Sequence, residues 1–533
     1  MRFMFIYPNN TGNPKVPLGC MYLITILKNL GHEVAFFDMT FYGIDIEKHD
    51  INIRGRLLNF RPIDLEPWGV TYTKATKQEV FSELQDRVRA FAPDIIGVTL
   101  TEDTSLFGLE AMQAAKCAAP DAVMMAGGVF CMTEPLMVLS HPVIDMVSIG
   151  EGEVCMPEMF DRLEKGLPTH DVKGFWVKDA DGTIHRNEVA APIDLNDLPI
   201  PDLDLIDERH FYSPMAGNVY KMTFVEGQRG CPRRCTYCCN QLFLDAYRGH
   251  IKHYLRKKTI PRLVEELEQL KNNYGFDFFQ FTDDDFTLRS EEELREFKRL
   301  YLAKVNVPFW CQAEANNISD EKIRLMREAG CIAISMGIET GSHKILTEVY
   351  KRKTSQAATI KAFRIMHKYG IRTSGNIIVG VPQETRDDIF STIELARKCR
   401  PKSLNVNIFA PYRGTELRRV CIEKGYLDDS FVRDGRRSWE PVLDLPQISK
   451  EEIVGLVRTF ALYCTLPRDT FPLIERCETV TPESSIIFDN LEMLFWEITE
   501  QIGIDFYVPG VDYSAKAEER RQQLLHGGCG CNR

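Results

Sequence analysis

The chain has 533 residues, of which 44% are hydrophobic and 26% charged, with a net charge of −11 at pH 7. This length predicts more than one domain with buried cores, and the negative charge argues against a nucleic-acid partner, which requires a basic surface. No apolar run is long enough for a transmembrane helix, and the N-terminus lacks the features of a signal peptide, so we expect a cytoplasmic protein.

Residues 1–165 alternate between short apolar strands and amphipathic helices. The strand patterns are "RFMFIYP", "EVAFFDM", "DIIGVTL", "AVMMAGG" and "DMVSIGEGE". Short buried strands separated by helices predict a parallel, Rossmann-like sheet covered on both faces. Ligands of such sheets bind at the carboxyl ends of the strands, which are rich in Gly, Thr and Asn here.

The rest of the chain predicts further units. Because strands alternate with helices in both large units, the sequence predicts a protein of the α/β class. Residues 166–218 contain repeated Pro and Asp without periodicity, which predicts a linker. Residues 219–425 contain six strand patterns separated by helices, which predict a partial (β/α)6 barrel of the TIM type with its active site at the carboxyl ends of the strands. Residues 426–513 predict a helical C-terminal domain, and residues 514–533 a mobile tail.

The stretch "EGQRGCPRRCTYCCNQ" holds four closely spaced cysteines. The cytosol keeps thiols reduced, and structural zinc normally takes four ligands, often as two distant pairs. Short spacings suit the thiolates of an iron–sulfur cluster, and three thiolates would leave one iron of a [4Fe–4S] cluster open. Cys239 directly follows another cysteine, and adjacent residues of a short loop rarely reach the same metal. The terminal Cys529 and Cys531 could bind a metal, act as a redox relay or belong to a mobile tail.

The spacing Cys231-x-x-x-Cys235-x-x-Cys238, with Tyr237 before the last cysteine, resembles the signature of the radical S-adenosylmethionine (SAM) superfamily. The resemblance covers about residues 219–425 and implies that these three thiolates hold a [4Fe–4S] cluster whose open iron binds SAM. The segments "FTDDDF", "GIETGS" and "IVGVPQET" resemble further SAM-contacting segments of the family, although the last departs from the usual pattern at Val381 and Gln383. Besides Tyr237, the SAM contacts that the resemblance implies are Asp283, Asp284, Gly337, Glu339 and Gly380.

The N-terminal region resembles the cobalamin-binding domain found ahead of many radical SAM enzymes. No Gly-x-Gly-x-x-Gly follows the first strand, so a nicotinamide site is excluded. The segment Asp38–Gly43 superficially resembles the motif whose His ligates cobalt in other cobalamin proteins, but Thr40 stands in place of that His. The lower face of the cobalt would then carry water, another side chain or nothing. The cobalamin contacts that the resemblance implies are Pro17, Leu18, Gly19, Thr99, Leu100, Thr101, Gly127, Gly128, Gly150, Glu151 and Gly152.

Together the resemblances imply an anaerobic, cobalamin-dependent radical SAM enzyme that transfers a methyl group to an unactivated carbon. One SAM would methylate cobalamin, and a second would give the 5′-deoxyadenosyl radical that activates the substrate. The alternatives are an oxidative cyclisation or rearrangement, as in anaerobic relatives of the Mg-protoporphyrin ester cyclase, and a non-catalytic cobalamin or cluster sensor. The expected partners are a small-molecule or lipid substrate and an electron donor such as flavodoxin or ferredoxin.

The segment Tyr247–Lys258 is strongly basic and follows the cysteines closely. Such a composition suits recognition of a phosphate or carboxylate on the substrate. It also suits a solvated lead-in to the first barrel helix.

Overall fold

The computed structural model describes residues 1–44, 50–60, 62–435, 439–501 and 522. Strands and helices alternate along most of this part of the chain. The strands are β1 (Arg2–Tyr7), β2 (Glu33–Asp38), β3 (Ile95–Thr99), β4 (Val123–Gly127), β5 (Met146–Ser148), β6 (Phe175–Lys178), β7 (Ile184–Arg186), β8 (Tyr212–Met215), β9 (Asn218–Val225), β10 (Gln228–Arg229), β11 (Arg256–Lys257), β12 (Phe278–Phe281), β13 (Phe309–Ala313), β14 (Cys331–Glu339), β15 (Arg372–Val379) and β16 (Ser403–Ile408).

Most of the helices cover the faces of the two large sheets, and most of the longer ones bury one apolar side. The α-helices are α1 (Leu18–Asn29), α2 (Asp50–Arg56), α3 (Lys77–Phe91), α4 (Glu102–Ala118), α5 (Val129–Thr133), α6 (Pro135–Leu139), α7 (Gly152–Glu164), α8 (Asn240–Ala246), α9 (Ile251–Tyr254), α10 (Ile260–Tyr274), α11 (Glu291–Lys304), α12 (Asp320–Ala329), α13 (Gln356–Lys368), α14 (Arg386–Cys399), α15 (Glu416–Glu423), α16 (Lys450–Thr465), α17 (Phe471–Arg476) and α18 (Pro482–Gln501).

The first sheet has the strand order β2-β1-β3-β4-β5-β6-β7, and its first five strands are parallel. Helices α1 and α7 pack together, as do α3 and α4, and their buried residues belong to two separate apolar cores. A parallel sheet needs such cover because both of its faces are apolar. The predicted Rossmann-like unit is confirmed, and the carboxyl ends of its strands lie at one edge.

The predicted linker contains two strands of this same sheet. β6 pairs antiparallel with β5, and β7 pairs antiparallel with β6. The apolar residues "FWV" and the Asp-Gly turn that follows them are the local signals for this hairpin. Both strands are short, so their periodicity does not stand out against the surrounding Pro and Asp residues.

The second sheet has the order β16-β15-β14-β13-β12-β9-β8, with six parallel strands and β8 antiparallel at one edge. The six parallel strands coincide with the six predicted strand patterns, so the partial barrel is confirmed. Helix α16 packs against α14 and β16 and begins the helical C-terminal part. The cysteines of the predicted tail lie outside the described residues. Within the described part of the chain, no helix is both long and apolar enough to span a membrane.

Candidate active site

The cysteine loop begins directly after β10 at the mouth of the barrel, and hydrogen bonds fix its position. The Thr236 hydroxyl donates to the Val349 carbonyl at 2.5 Å, and the backbone amide of Leu417 donates to the Thr236 carbonyl at 2.9 Å. Arg233 forms an ion pair of 2.5 Å with the buried Glu314, which follows β13. The loop is therefore held from three parts of the barrel, which limits the freedom of its thiols.

The three predicted cluster ligands interact electrostatically, so their sulfur atoms are near one another. Burial, together with the neighbouring Asp284, Cys238 and Cys235, raises the pKa of the Cys231 thiol to about 12. Burial also raises the pKa of Cys235, against the effect of Arg352. These thiols are therefore protonated at neutral pH in the protein alone, and binding to iron would release their protons.

Cys239 interacts with the predicted cluster ligand Cys238, its neighbour in sequence. The two neighbouring thiols interact, which raises the pKa of Cys238 and lowers that of Cys239. Cys239 is also the residue that precedes the first turn of α8. That Cys238, and not Cys239, binds the cluster stays a prediction.

Tyr237, Glu339 and Arg352 form a buried polar group next to the loop. Arg352 Nη1 donates to Glu339 Oε1 at 2.8 Å and to the Tyr237 hydroxyl at 3.1 Å. Burial raises the pKa of Glu339, while Arg352 opposes this shift. Gly337 is required for the arrangement, because a Cβ atom there would lie 2.1 Å from Glu339 Oε1. The structure thus brings together three of the predicted SAM contacts and adds Arg352, which sequence reasoning missed.

The structure separates the two predicted aspartates. Asp283 is fully buried and accepts hydrogen bonds from the backbone amides of Gly227 and Gln228 at 2.7 and 3.1 Å, and from Arg289 Nη1 at 2.8 Å. Its carboxylate therefore supports the chain before the cysteine loop, and the prediction that it faces SAM is not supported. Asp284 instead lines a cavity at the mouth of the barrel.

Gly380 lies at the carboxyl end of β15 with a φ of 81°. Its backbone amide donates to Glu384 Oε2 at 2.6 Å. The hydrogen-bonding capacity of this amide is thus used within the turn. Gly380 shapes the mouth of the barrel, and its contact with SAM stays a prediction.

A cavity of about 630 Å³ lies between the carboxyl edge of the first sheet and the mouth of the barrel. Residues of the second unit that line it include Arg229, Asn240, Thr282 and Asp284. None of the residues Asp38–Gly43 is among its lining. The predicted cobalamin contacts that line it are Pro17, Leu18, Gly19, Thr99, Gly127, Gly128, Gly150, Glu151 and Gly152.

Two predicted cobalamin contacts do not line this cavity. The Leu100 side chain is fully buried in the core of the first sheet, and its backbone amide donates to the Gly127 carbonyl at 2.8 Å. Thr101 precedes α4, where its hydroxyl hydrogen-bonds with that of Thr104 at 3.1 Å. The chain turns away from the cavity after Thr99 because α4 begins there.

Backbone geometry keeps part of the cavity wall free of side chains. Gly128 has a φ of 97°, and a Cβ atom there would lie 2.6 Å from the Leu100 carbonyl oxygen. Gly150 has a φ of 84°, and its Cβ atom would lie 2.6 Å from the Tyr247 hydroxyl. Both positions therefore require glycine, and the backbone itself forms the surface.

Glu151 belongs to a group of charged and polar residues near the cavity, and the other members of this group were missed by sequence reasoning. Arg229 forms ion pairs with Glu226 and Glu153 at 2.8 and 2.7 Å, and with Glu151 at 3.5 Å. The side-chain amide of Gln228 is buried and has no hydrogen-bond partner among the described residues. Gln228 and Arg229 stand three and two residues before Cys231, and this closeness to the cysteine signature is the signal that could have found them.

The basic segment Tyr247–Lys258 is only partly exposed to solvent, and several of its side chains bind other parts of the protein. The Tyr247 hydroxyl accepts a hydrogen bond from the Glu151 amide at 2.9 Å, and Arg256 pairs with the Glu151 carboxylate. Lys258 is fully buried and pairs with Glu266 at 2.6 Å. The segment therefore joins the two halves of the protein at the cavity.

The sequence profile of the radical SAM superfamily matches residues 225–396. The chain contains a radical SAM domain. This region begins at the last residue of β9 and contains the cysteine loop, so the predicted radical SAM domain is confirmed. A [4Fe–4S] cluster and SAM are the cofactors that this family implies.

Two curated proteins of different function are similar to this chain over most of its length. An uncharacterized methyltransferase of Pyrococcus horikoshii is 29% identical over 384 residues, which are 71% of this chain and 80% of that protein. An anaerobic magnesium-protoporphyrin IX monomethyl ester cyclase of Rubrivivax gelatinosus is 26% identical over 342 residues, which are 63% of this chain and 60% of that protein. The similarity to the methyltransferase therefore covers more of both chains.

A solved structure shares the fold over nearly the whole chain. It is the radical SAM methyltransferase TsrM from Kitasatospora setae, determined with cobalamin and a [4Fe–4S] cluster bound. The TM-score is 0.62 at 15% sequence identity, and the match covers 92% of this chain and 99% of TsrM. The arrangement of an N-terminal sheet, a partial barrel and a helical C-terminal part thus recurs in both proteins.

Proposed function

We propose that this protein is a cobalamin-dependent radical SAM enzyme that transfers a methyl group to a carbon atom of a small molecule. The observation that carries the proposal is the position of the large cavity. It joins the carboxyl ends of β3, β4 and β5 to the barrel mouth, where the cysteine loop begins. A ligand in this cavity would therefore face both halves of the protein.

The residues of the cavity fit a large, flat cofactor with polar edges. Gly128 and Gly150 cannot carry a Cβ atom, so they keep a bare backbone surface against which a ring system can lie. The unpartnered amide of Gln228 offers a donor and an acceptor to the polar substituents of a corrin. Nearby apolar groups, including Phe5 and Met156, also line the cavity.

The residues of the barrel mouth fit the cluster and SAM. Cys231, Cys235 and Cys238 would hold the cluster, and when bound it supplies the electron that cleaves SAM, while the corrin carries the methyl group. Asp284 offers a carboxylate that Asn240 Nδ2 orients at 2.9 Å and that would bind the amino group of SAM. Arg352 fixes the Glu339 carboxylate at the end of β14, where it would meet the ribose.

The contact between the two halves would exclude water from the reacting groups. Tyr247 and Tyr254 lie between the first sheet and the cysteine loop and line the cavity. Exclusion of water protects reactive intermediates from side reactions. The reaction also needs a one-electron donor, for which we propose a flavodoxin or ferredoxin, and we propose a cytoplasmic location because that compartment keeps thiols reduced.

Anaerobic reconstitution tests the proposed reaction. The protein is loaded with iron, sulfide and cobalamin and is then given a reductant, labelled SAM and candidate substrates. Formation of both S-adenosylhomocysteine and deoxyadenosine supports methyl transfer, because the two uses of SAM give different products. Deoxyadenosine alone would favour the cyclisation or rearrangement. The absence of both products would contradict an enzymatic function.

Cysteine variants test the assignment of the cluster ligands. Cys231→Ala, Cys235→Ala and Cys238→Ala are each expected to abolish SAM cleavage and the visible absorption of the cluster. Cys239→Ala is the matched control, since Cys239 adjoins Cys238 in sequence but is not among the predicted ligands. If Cys239→Ala lost the cluster while Cys238→Ala kept it, the ligand assignment would be wrong.

A further inference from the structure

Gln228 is the first residue of β10, and its side chain lines the large cavity. The residue is only 2% exposed, and neither its Oε1 nor its Nε2 atom has a hydrogen-bond partner among the described residues. A buried amide without a partner lowers the stability of the fold, because it has given up its hydrogen bonds to water. A ligand in the cavity can supply the missing partners.

The charged side chains around Gln228 bind one another. Arg229 pairs with Glu226 and Glu153 at 2.8 and 2.7 Å, and with Glu151 at 3.5 Å. These charges are therefore engaged within the protein, while the neutral amide of Gln228 is not. An amide has both a donor and an acceptor, so another primary amide matches it in both roles.

Hydrogen bonds hold the backbone of Gln228 from two sides. Its amide and that of Gly227 donate to Asp283 Oδ1 at 3.1 and 2.7 Å, and the buried Asp283 carboxylate is paired with Arg289. On the other side β10 pairs with β11, where Gln228 lies opposite Lys257. The side chain therefore starts from a fixed point, and a ligand that binds it loses little free energy to ordering the protein.

We propose that Gln228 is a positioning residue that holds cobalamin from the barrel side, through one of the primary amides on the edge of the corrin. Gln228 stands three residues before Cys231, on the strand that leads into the cysteine loop. This contact would therefore tie the corrin to the part of the chain that carries the cluster. The inference rests on the proposed function and deepens it, since it names a residue that fixes one cofactor relative to the other.

The variant Gln228→Met separates this role from a structural one. Met keeps the length of the side chain but has neither the donor nor the acceptor of the amide. Without cobalamin, the variant is expected to be at least as stable as the unaltered protein, because an unpartnered buried amide is removed and no bond within the protein is lost. Its affinity for cobalamin should fall about tenfold, as expected for the loss of one hydrogen-bonded contact.

Absorption titration of the cluster-loaded protein with hydroxocobalamin measures the affinity, and thermal denaturation before the titration measures the stability. Gln241→Met is the matched control, because Oε1 of Gln241 is also buried without a hydrogen-bond partner, while Gln241 does not line the cavity. The control should keep the affinity of the unaltered protein. An unchanged affinity in Gln228→Met would overturn the proposal. A lower melting temperature of this variant without cobalamin would also overturn it, since the amide would then serve the fold.

Modified cobalamins test the contact from the side of the ligand. In each probe one side-chain amide of the corrin is replaced by a methyl ester, which keeps the carbonyl acceptor and removes the donor. At least one probe should bind to the unaltered protein about tenfold more weakly than cobalamin, and the same replacement should have little effect on binding to Gln228→Met. Equal losses in both proteins for every probe would show that Gln228 meets no amide of the corrin.

The same samples distinguish failure of this proposal from failure of the proposed function. If the unaltered, cluster-loaded protein takes up no cobalamin, the proposed function is contradicted and the role of Gln228 with it. If the unaltered protein takes up cobalamin and forms S-adenosylhomocysteine from labelled SAM, while Gln228→Met binds cobalamin equally well, only the positioning role is contradicted.

Discussion

At the scale of single residues, Asp283 and Asp284 are neighbours in sequence with different surroundings. Asp283 forms a fully buried ion pair with Arg289 and accepts two backbone hydrogen bonds. Asp284 lines the cavity between the two halves, and Asn240 Nδ2 donates a hydrogen bond to its carboxylate. A sequence motif predicts both carboxylates equally well, because it does not record which of two successive side chains faces the core.

Substitution of each aspartate by Asn is expected to separate stability from SAM binding. Asp283→Asn leaves Arg289 buried without its charge partner and should lower the free energy of unfolding by about 3–5 kcal/mol. Asp284→Asn should change that free energy by less than about 1 kcal/mol and weaken SAM binding. Urea denaturation and equilibrium dialysis with labelled SAM measure the two effects. Equal destabilisation by both changes would contradict this assignment.

Glu384, in the turn after β15, makes the folding stability depend on pH. Burial raises its pKa from 4.5 to about 8, although the amides of Gly380 and Val381 donate to its carboxylate and lower the pKa. The folded protein therefore holds a proton that the unfolded chain loses above about pH 4.5. The contribution to stability is fully present below that pH and is lost as the pH rises to about 8.

Glu384→Gln is expected to remove this dependence, because the amide is neutral at every pH and keeps an oxygen acceptor for Gly380. Between pH 5 and 8 the unaltered protein should lose a few kcal/mol of unfolding free energy relative to the variant, on the order that its pKa shift implies. Urea denaturation of both proteins across this range measures the difference. Parallel pH profiles would show that Glu384 is ionised in the folded state.

At the scale of elements, the strands of both sheets could be predicted because they are apolar runs bounded by clear stops. The hairpin of β6 and β7 was missed because its strands have four and three residues. The basic segment Tyr247–Lys258 is exposed only in part, since β11 pairs with β10 and Lys258 is buried. Composition indicates solvent exposure only when no distant partner neutralises the charge.

The loop after β4 contains two glycines with different roles, and this difference is testable. Gly128→Ala should cost about 1–3 kcal/mol of unfolding free energy, because its φ is 97° and its Cβ atom would meet the Leu100 oxygen. Gly127→Ala should be tolerated, since the nearest atom to its Cβ is Ser148 Cβ at 3.8 Å. Its methyl group would nevertheless alter the cavity wall and weaken cobalamin uptake.

Gel filtration after incubation with cobalamin, followed by visible absorption, measures uptake by the two glycine variants. Thermal denaturation of the same samples without cobalamin measures their stability. Full uptake by Gly127→Ala together with normal stability would show that cobalamin does not approach this wall.

At the scale of the whole molecule, buried polar contacts join the two halves of the protein. The Tyr22 hydroxyl of α1 donates to Glu266 Oε1 of α10 at 3.1 Å, across 244 residues of sequence. Lys258 Nζ donates to Glu266 Oε2 at 2.6 Å and to the Tyr22 hydroxyl at 3.0 Å. Sequence patterns could not predict this group, because none of its members stands in a motif and their proximity depends on how the two sheets pack.

Because Lys258 and Glu266 are fully buried, removing one charge should cost more than removing both. Lys258→Met should lower the free energy of unfolding by about 3–5 kcal/mol, since it leaves an unpaired buried carboxylate. The double variant Lys258→Met/Glu266→Leu should recover most of that loss, because apolar replacements avoid the desolvation of both ions. Tyr22→Phe keeps the ion pair and should cost only about 1 kcal/mol. Urea denaturation of the four proteins measures these values, and a double variant that is no more stable than Lys258→Met would mean that the two charges do not interact.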